Sequence, residues 1–183
     1  MNVIVAVDSE WGIGYRGDLL ARSKEDLQNF ARLTTGKTVI LGSNTLATFP
    51  GGRVLKERRN IVLNPDPDYA PAGAVVVHSL EELFAKLETL RAEGLRTEDV
   101  FVIGGASVYR QLLPYCDKAY VTQFRHCFEK DAWFPNLDEL PEWRVADVSE
   151  PVTGIYRGAG GTGGEISFVF KEYIKKSGTD LPA

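Results

Sequence analysis

The sequence predicts an α/β fold in three layers: a central, mostly parallel twisted sheet of about eight strands, helices on both faces, and an antiparallel hairpin at the C-terminal edge. Three observations carry this expectation. Short apolar runs rich in β-branched residues recur between turn residues, as strands buried on both faces do. Amphipathic helical patterns separate them, and such alternation implies a parallel sheet with ligands beyond the carboxyl ends of the strands. After Phe134-Pro135 the pattern changes to strands in which apolar and polar residues alternate.

The apolar runs fall at residues 3–7, 38–41, 60–63, 74–77, 100–103 and 119–124. The clearest helix is SLEELFAKLETLRAEG, residues 79–94. Ser79 and Glu82 make a capping box, Leu80, Leu83, Phe84, Leu87 and Leu90 share one face, and Gly94 supplies the stop. SKEDLQNFARLT reads as a helix from Ser23, and VFVIGGASVYRQLLP as a strand, a glycine pair and a helix ending at Pro114. Strands at 143–149 and 166–174 form the edge hairpin, and the glycine-rich residues 154–164 between them read as its long mobile tip. One domain over residues 1–176 is expected, with a flexible tail at 177–183.

Composition narrows the function classes. A net charge of −4 with acidic and basic residues intermixed argues against nucleic acid or an anionic membrane as partner. No run of about 18 apolar residues offers a membrane span, and MNVIVAVD lacks a basic leader region. Cys116 and Cys127 form no close pair for metal or redox chemistry and read as buried thiols of a reducing compartment, so no metal and a cytoplasmic location are expected.

Asp26 stands among apolar positions. At about 100° per residue, Leu33, Phe30, Leu27 and Ala31 surround its direction, whereas Glu25, Gln28, Asn29 and Arg32 fall outside that arc as solvent-facing residues. Two readings are open: Ser23 and Asp26 form a capping box, or the carboxylate awaits a cationic or amide-bearing ligand that offsets its burial. The preceding stretch DSEWGIGYRGDLLARS, with Gly12, Gly14, Gly17 and an exposed-looking Trp11, reads as a lid or as an ordinary surface connection. Gly104-Gly105 sits where a strand meets a helix, which suits a phosphate or merely a turn with φ > 0. Gly42, after the strand ending at Leu41, is a second candidate of the same kind.

Seven motifs stand in order: A-x-D-x-x-x-x-I-G from Ala6 to Gly14, E-D-L-x-x-F from Glu25 to Phe30, G-x-x-T from Gly42 to Thr45, R-x-N-I-V-L from Arg58 to Leu63, V-I-G-G-x-x-V-Y from Val102 to Tyr109, Val121-Thr122, and D-x-x-F-P from Asp131 to Pro135. In these the chain resembles the dihydrofolate reductase family from near its start to about Lys175. The resemblance implies NADPH-dependent reduction of dihydrofolate to tetrahydrofolate, with NADH as a second possible donor, by a monomer. It implies that Asp26 anchors the pterin, supported by Thr122, while the N5 proton arrives by way of water. Ile4, Val5, Leu27 and Phe30 would line the pterin slot, Phe49 and Leu55 would flank the benzoyl ring, and Arg58 would pair the glutamate carboxylate. Ala6, Ile13, Gly14, Leu19 and Tyr109 would face the nicotinamide. Ser43, Asn44 and Thr45, with Ile103, Gly104, Gly105, Ala106, Ser107 and Val108, would take the phosphates, and Leu63, Asn64 and His78 would border the adenosine. The Gly104-Gly105 peptide would be cis, and residues 9–22 would be the closing lid.

The chain departs from the family in two places. Leu20-Ala21 replaces the usual proline–tryptophan pair, and Ser43 replaces the usual basic residue after Gly42. The second departure predicts weak discrimination between NADPH and NADH, unless Lys37, Arg53 or Arg59 supplies the missing charge. Two other readings are weighed: a pyrimidine reductase of riboflavin synthesis on the same fold, and a non-catalytic binding or assembly protein.

Overall fold

The computed structural model describes residues 1–176; the expected tail at 177–183 lies outside the described residues. Its strands are β1 (Asn2–Val7), β2 (Gly12–Tyr15), β3 (Asp18–Leu19), β4 (Ala21–Ser23), β5 (Thr38–Gly42), β6 (Arg59–Leu63), β7 (Val75–Val77), β8 (Val100–Gly104), β9 (Lys118–Phe124), β10 (Ala132–Trp133), β11 (Trp143–Val148), β12 (Val152–Gly158) and β13 (Gly163–Lys175). The helices are α1 (Lys24–Thr34), α2 (Ser43–Ala47), α3 (Leu80–Ala92) and α4 (Ala106–Leu112). Ten strands form one sheet in the order β4-β12-β13-β9-β1-β8-β5-β6-β7, with β11 also on β13, and β10-β2-β3 form a second, small sheet. From β9 to β7 every pairing is parallel.

The period of two along β1 divides the core. Val3, Val5 and Val7 join one cluster with Leu83, Leu87 and Leu90 of α3 and Val108 and Leu112 of α4. Ile4 points to the other face, where Phe30 and Leu33 of α1 pack with Val39, Leu41 and Val62. Helices therefore cover both faces.

Helix α3 forms as its sequence signals. Ser79 Oγ accepts from Glu82 N at 3.1 Å, but the Glu82 carboxylate returns to His78 N at 2.7 Å, one residue before the cap. Gly94 at φ +100° closes the helix, with Leu95 N bonded to Leu90 O at 2.9 Å. Burying Leu83, Leu87 and Leu90 contributes roughly 1.5–3 kcal/mol each.

The expected antiparallel pairing of the two C-terminal strands is present as β11 on β13, but the segment between them is not one long tip. Half of the glycine-rich stretch is strand β12, and β13 lies inside the sheet, flanked by β9 on one side and by both β12 and β11 on the other. Close packing accounts for the glycines. A Cβ at Gly154 would stand 2.3 Å from Glu25 Oε2, and one at Gly158 would stand 2.7 Å from Leu20 O. The turn itself is only Ala159–Gly161 and its flanks.

Three side-chain expectations also change. Trp11 is buried, not exposed: at φ +62° its ring stacks on Phe134 at 6.2 Å and meets Tyr173 edge-on at 6.0 Å. Glu25 is half-buried, with Oε2 packed on β12 and no hydrogen-bond partner among the described residues, because β12 covers the helix side that periodicity alone assigns to solvent. Cys116 is buried, but Cys127 is exposed, since it falls in the turn segment after β9.

Candidate functional site

The carboxyl ends of β1, β8, β5 and β6 converge on two cavities that share Asn44, Thr45, Gly105 and Ala106. The first, of about 220 Å³, is lined by Val5, Ala6, Ile13, Gly14, Leu19, Ile103, Gly104 and Tyr109. Its wall is mainly aliphatic. The second, of about 570 Å³, has Ser43, Leu63, His78, Ser107 and Val108 in its lining. A flat apolar ring fits the first, and a polar, charged group fits the second.

Between them the backbone comes unusually close. The Gly104-Gly105 peptide is cis and Gly104 has φ +128°. A Cβ at Gly105 would lie 3.0 Å from Thr45 Oγ1, and one at Gly104 would lie 3.3 Å from the same oxygen. Glycine leaves this junction open, so an extended dinucleotide can pass from one cavity to the other. The residues present therefore fit such a group.

Asp26 stands beside the first cavity, across β1. Its Oδ1 accepts from Thr122 Oγ1 at 2.6 Å, and Thr122 is the register partner of Ala6 in the cavity wall. Of the expected capping box, half is present. Asp26 N donates to Ser23 Oγ at 3.1 Å, while the carboxylate turns inward to Thr122. Burial pushes its pKa up, and the Thr122 hydrogen bond only partly opposes that shift.

Tyr109 is buried, donates to Ile4 O at 2.8 Å and stands edge-on to Phe134 at 5.0 Å. Burial raises its pKa far above the usual phenol range, with the Asp26 charge adding to the effect, so it stays a neutral donor. Phe30, Phe49 and Leu55 pack against the cluster that includes Ile4, whereas Leu27, at the edge of the helical arc, remains 51% exposed and outside that cluster. Arg58 lies at the far end of α1, where its Nε and Nη2 each donate to Thr34 Oγ1 at 3.2 Å. Asp26 and Thr34 are eight residues apart on α1, about 12 Å along its axis.

Asn64 supports the second cavity without lining it. Its Nδ2 donates to Ser43 Oγ at 2.8 Å, and its carbonyl accepts from His78 Nδ1 at 2.8 Å. Lys37 and Arg59 are corrected as replacement cations. They line a different cavity at the opposite ends of β5 and β6, and Lys37 is paired there with Asp99. Arg53 lines neither of the two site cavities. Among the described residues, the Lys or Arg that lines the second is Arg110.

The expected lid is a hairpin, β2–β3, zipped to β10, and not an irregular loop. Asp131 Oδ2 accepts from Arg16 N at 2.9 Å, and Asp131 N donates to Gly14 O at 3.0 Å. Tyr15, Asp18, Thr48, Asp131 and Ala132 also line the first cavity. Sequence reasoning found the D-x-x-F-P motif but not its partner, because a long-range pairing of two short strands leaves no local periodicity.

Comparison with known proteins points to one family. The family model described as dihydrofolate reductase matches residues 1–153. The dihydrofolate reductase of Bacillus subtilis (strain 168) is 37% identical over 150 residues, covering 82% of this chain and 83% of that protein. That of Staphylococcus haemolyticus is 33% identical over 152 residues, covering 83% and 86%. A solved structure described as dihydrofolate reductase from Enterococcus faecalis complexed with NADP(H) and RAB-propyl matches with a TM-score of 0.75 at 30% identity, covering 96% of both chains.

Proposed function

The chain belongs to the dihydrofolate reductase family, and on that premise we propose that Asp26, held by Thr122, anchors the pterin while the two joined cavities seat the dinucleotide. The enzyme reduces 7,8-dihydrofolate to tetrahydrofolate with NADPH. When bound, NADPH supplies the hydride that reduces the C6–N5 double bond.

The chain's own residues orient, exclude water and set the field. Asp26 accepts from the pterin ring nitrogen and 2-amino group, and its buried charge favours the protonated ring. Thr122 fixes the carboxylate plane. Tyr109 keeps its proton and braces β1 at Ile4, so it orders the cavity wall and does not titrate. The N5 proton comes from water that reaches the ring from outside the Asp26 side. Ile13, Gly14 and Leu19 cover the nicotinamide. Thr45, with the Gly104-Gly105 junction, takes the pyrophosphate, and Ser43, His78 and Arg110 face the adenosine end.

The observation that carries this reading is the pairing of Asp26 with the buried Thr122 near one end of α1 and of Thr34 with Arg58 at the other. Their separation of about 12 Å suits a pterin at one end and a glutamate carboxylate at the other. We place the whole as one monomeric domain over residues 1–176, working in the cytoplasm. Two free cysteines, with burial pushing the Cys116 thiol up to about 12, support a reducing compartment. The test is loss of nicotinamide absorbance with dihydrofolate, alongside a ribosylaminopyrimidine as competitor substrate. Turnover with dihydrofolate is expected. Turnover only with the pyrimidine, or binding of both ligands without turnover, would sink it.

A further inference from the structure

Asp8 follows β1 and is fully buried, where a carboxylate is costly unless several donors hold it. Its Oδ1 accepts from Gly12 N at 2.8 Å and Glu10 N at 2.9 Å. Its Oδ2 accepts from Phe128 N at 3.0 Å and from Lys130 Nζ at 2.8 Å. Lys130 is itself nearly buried, with 7% of its side chain exposed. Its ammonium also reaches Glu10 Oε2 at 2.8 Å, the Phe128 carbonyl at 3.0 Å and Cys127 Sγ at 3.3 Å. The stem lies against Gly12, where a Cβ would stand 2.1 Å from Lys130 Cδ. Burial works against the charge, yet the hydrogen bonds to Asp8, Glu10 and Cys127 outweigh it and hold Lys130 above the usual lysine range.

The two segments joined in this way are the ones that close the first cavity. Gly12 begins β2, which brings Ile13 and Gly14 to the cavity wall, and Lys130 directly precedes Asp131 and Ala132 of the same wall. We propose that Lys130 is a positioning residue, which by clamping Asp8 and Glu10 to its own segment sets how closely Ile13 and Gly14 approach the nicotinamide. It touches neither ligand. The proposal rests on the reading of the first cavity as the nicotinamide site.

The test compares Lys130→Met, of similar length without charge, with Lys130→Arg. Asp8 keeps three backbone N–H donors in the methionine variant, enough to hold a carboxylate, so the chain should fold. Lys130→Met is expected to weaken NADPH binding about tenfold, read by nicotinamide fluorescence, and to slow single-turnover hydride transfer about tenfold. Dihydrofolate affinity should stay within about twofold, and Lys130→Arg should restore both losses to within about threefold. A purely structural role lowers the melting temperature and both affinities together, and that result overturns the proposal. So does unchanged NADPH affinity in a folded Lys130→Met enzyme. If that variant does not fold, Glu10→Gln releases only the exposed half of the clamp: NADPH binding about two- to threefold weaker supports the proposal, and no change refutes it. Ala6→Val, which fills the cavity wall, separates the two layers of inference. If it leaves NADPH affinity intact, the cavity assignment fails; if it weakens binding while Lys130→Met does not, only the clamp fails.

Discussion

Replacing Asp26 by asparagine separates what the carboxylate does for catalysis from what it costs the fold. In the free enzyme Oδ1 already accepts from Thr122 at 2.6 Å, so both oxygens are oriented before the pterin arrives. Asparagine offers one acceptor and turns an NH2 toward a pterin N–H. One charged hydrogen bond is lost, about 1.5–3 kcal/mol, and two donors face each other at a further ~1–3 kcal/mol. The sum of roughly 3–6 kcal/mol corresponds to a hydride step slower by roughly 10²- to 10⁴-fold at neutral pH. At acid pH the protonated substrate needs less help, so the deficit should shrink. Stability should move the other way. Burial raises the Asp26 pKa above its ordinary 3.8, so the folded state loses stability progressively as pH rises from 3.8 through the folded pKa, the loss is complete above that, and there is none below 3.8, where both states are protonated. Asp26→Asn should therefore melt higher than wild type at pH 7, and the gain should fade as the pH approaches 3.8. Stopped-flow single turnover and thermal melts across pH measure both. A variant with hydride rates within a few-fold of wild type at neutral pH, or with a lower melting temperature there, would refute the assignment of Asp26 as a buried pterin anchor.

Tyr109→Phe removes the donor to Ile4 O and leaves that buried carbonyl without its 2.8 Å partner, so urea denaturation should show a loss of about 1–3 kcal/mol; unchanged stability would mean the bond contributes nothing. Arg58→Gln should raise the KM for dihydrofolate while leaving kcat nearly constant, because the guanidinium binds a part of the substrate remote from the reacting atoms. An equal fall in kcat would place Arg58 nearer the chemistry than its contact with Thr34 allows. Ser43→Arg should widen the NADPH to NADH ratio of kcat/KM by about tenfold or more, since it brings a guanidinium to the second cavity. If the wild type already prefers NADPH by several hundredfold and the arginine adds nothing, Arg110 already serves the phosphate.

Much of this protein is local information. Strand β1 and strands β5 to β9 were legible because each is a short β-branched run, and α3 because its cap, stripe and stop lie within one window, whereas β2, β3 and β4 lie in a turn-rich stretch with no such run. The mismatch of Asp26 with its apolar neighbours, the glycine pair and the order of the motifs are all carried by the sequence, and the motif order carries the family resemblance. Tertiary structure decided where the long-range partners are. Only the paired β2 and β10 bring Asp131 to Gly14, and only the register of β12 on β13 and β4 turns a glycine-rich segment into a strand that buries Glu25. Trp11 makes the same point from the side chains: in its turn-rich stretch it reads as exposed, yet Phe134 and Tyr173, more than a hundred residues away, bury it. A sequence fixes its own periodicity and chemistry, but the burial of a polar or irregular segment depends on which distant segment covers it. No local pattern encodes that.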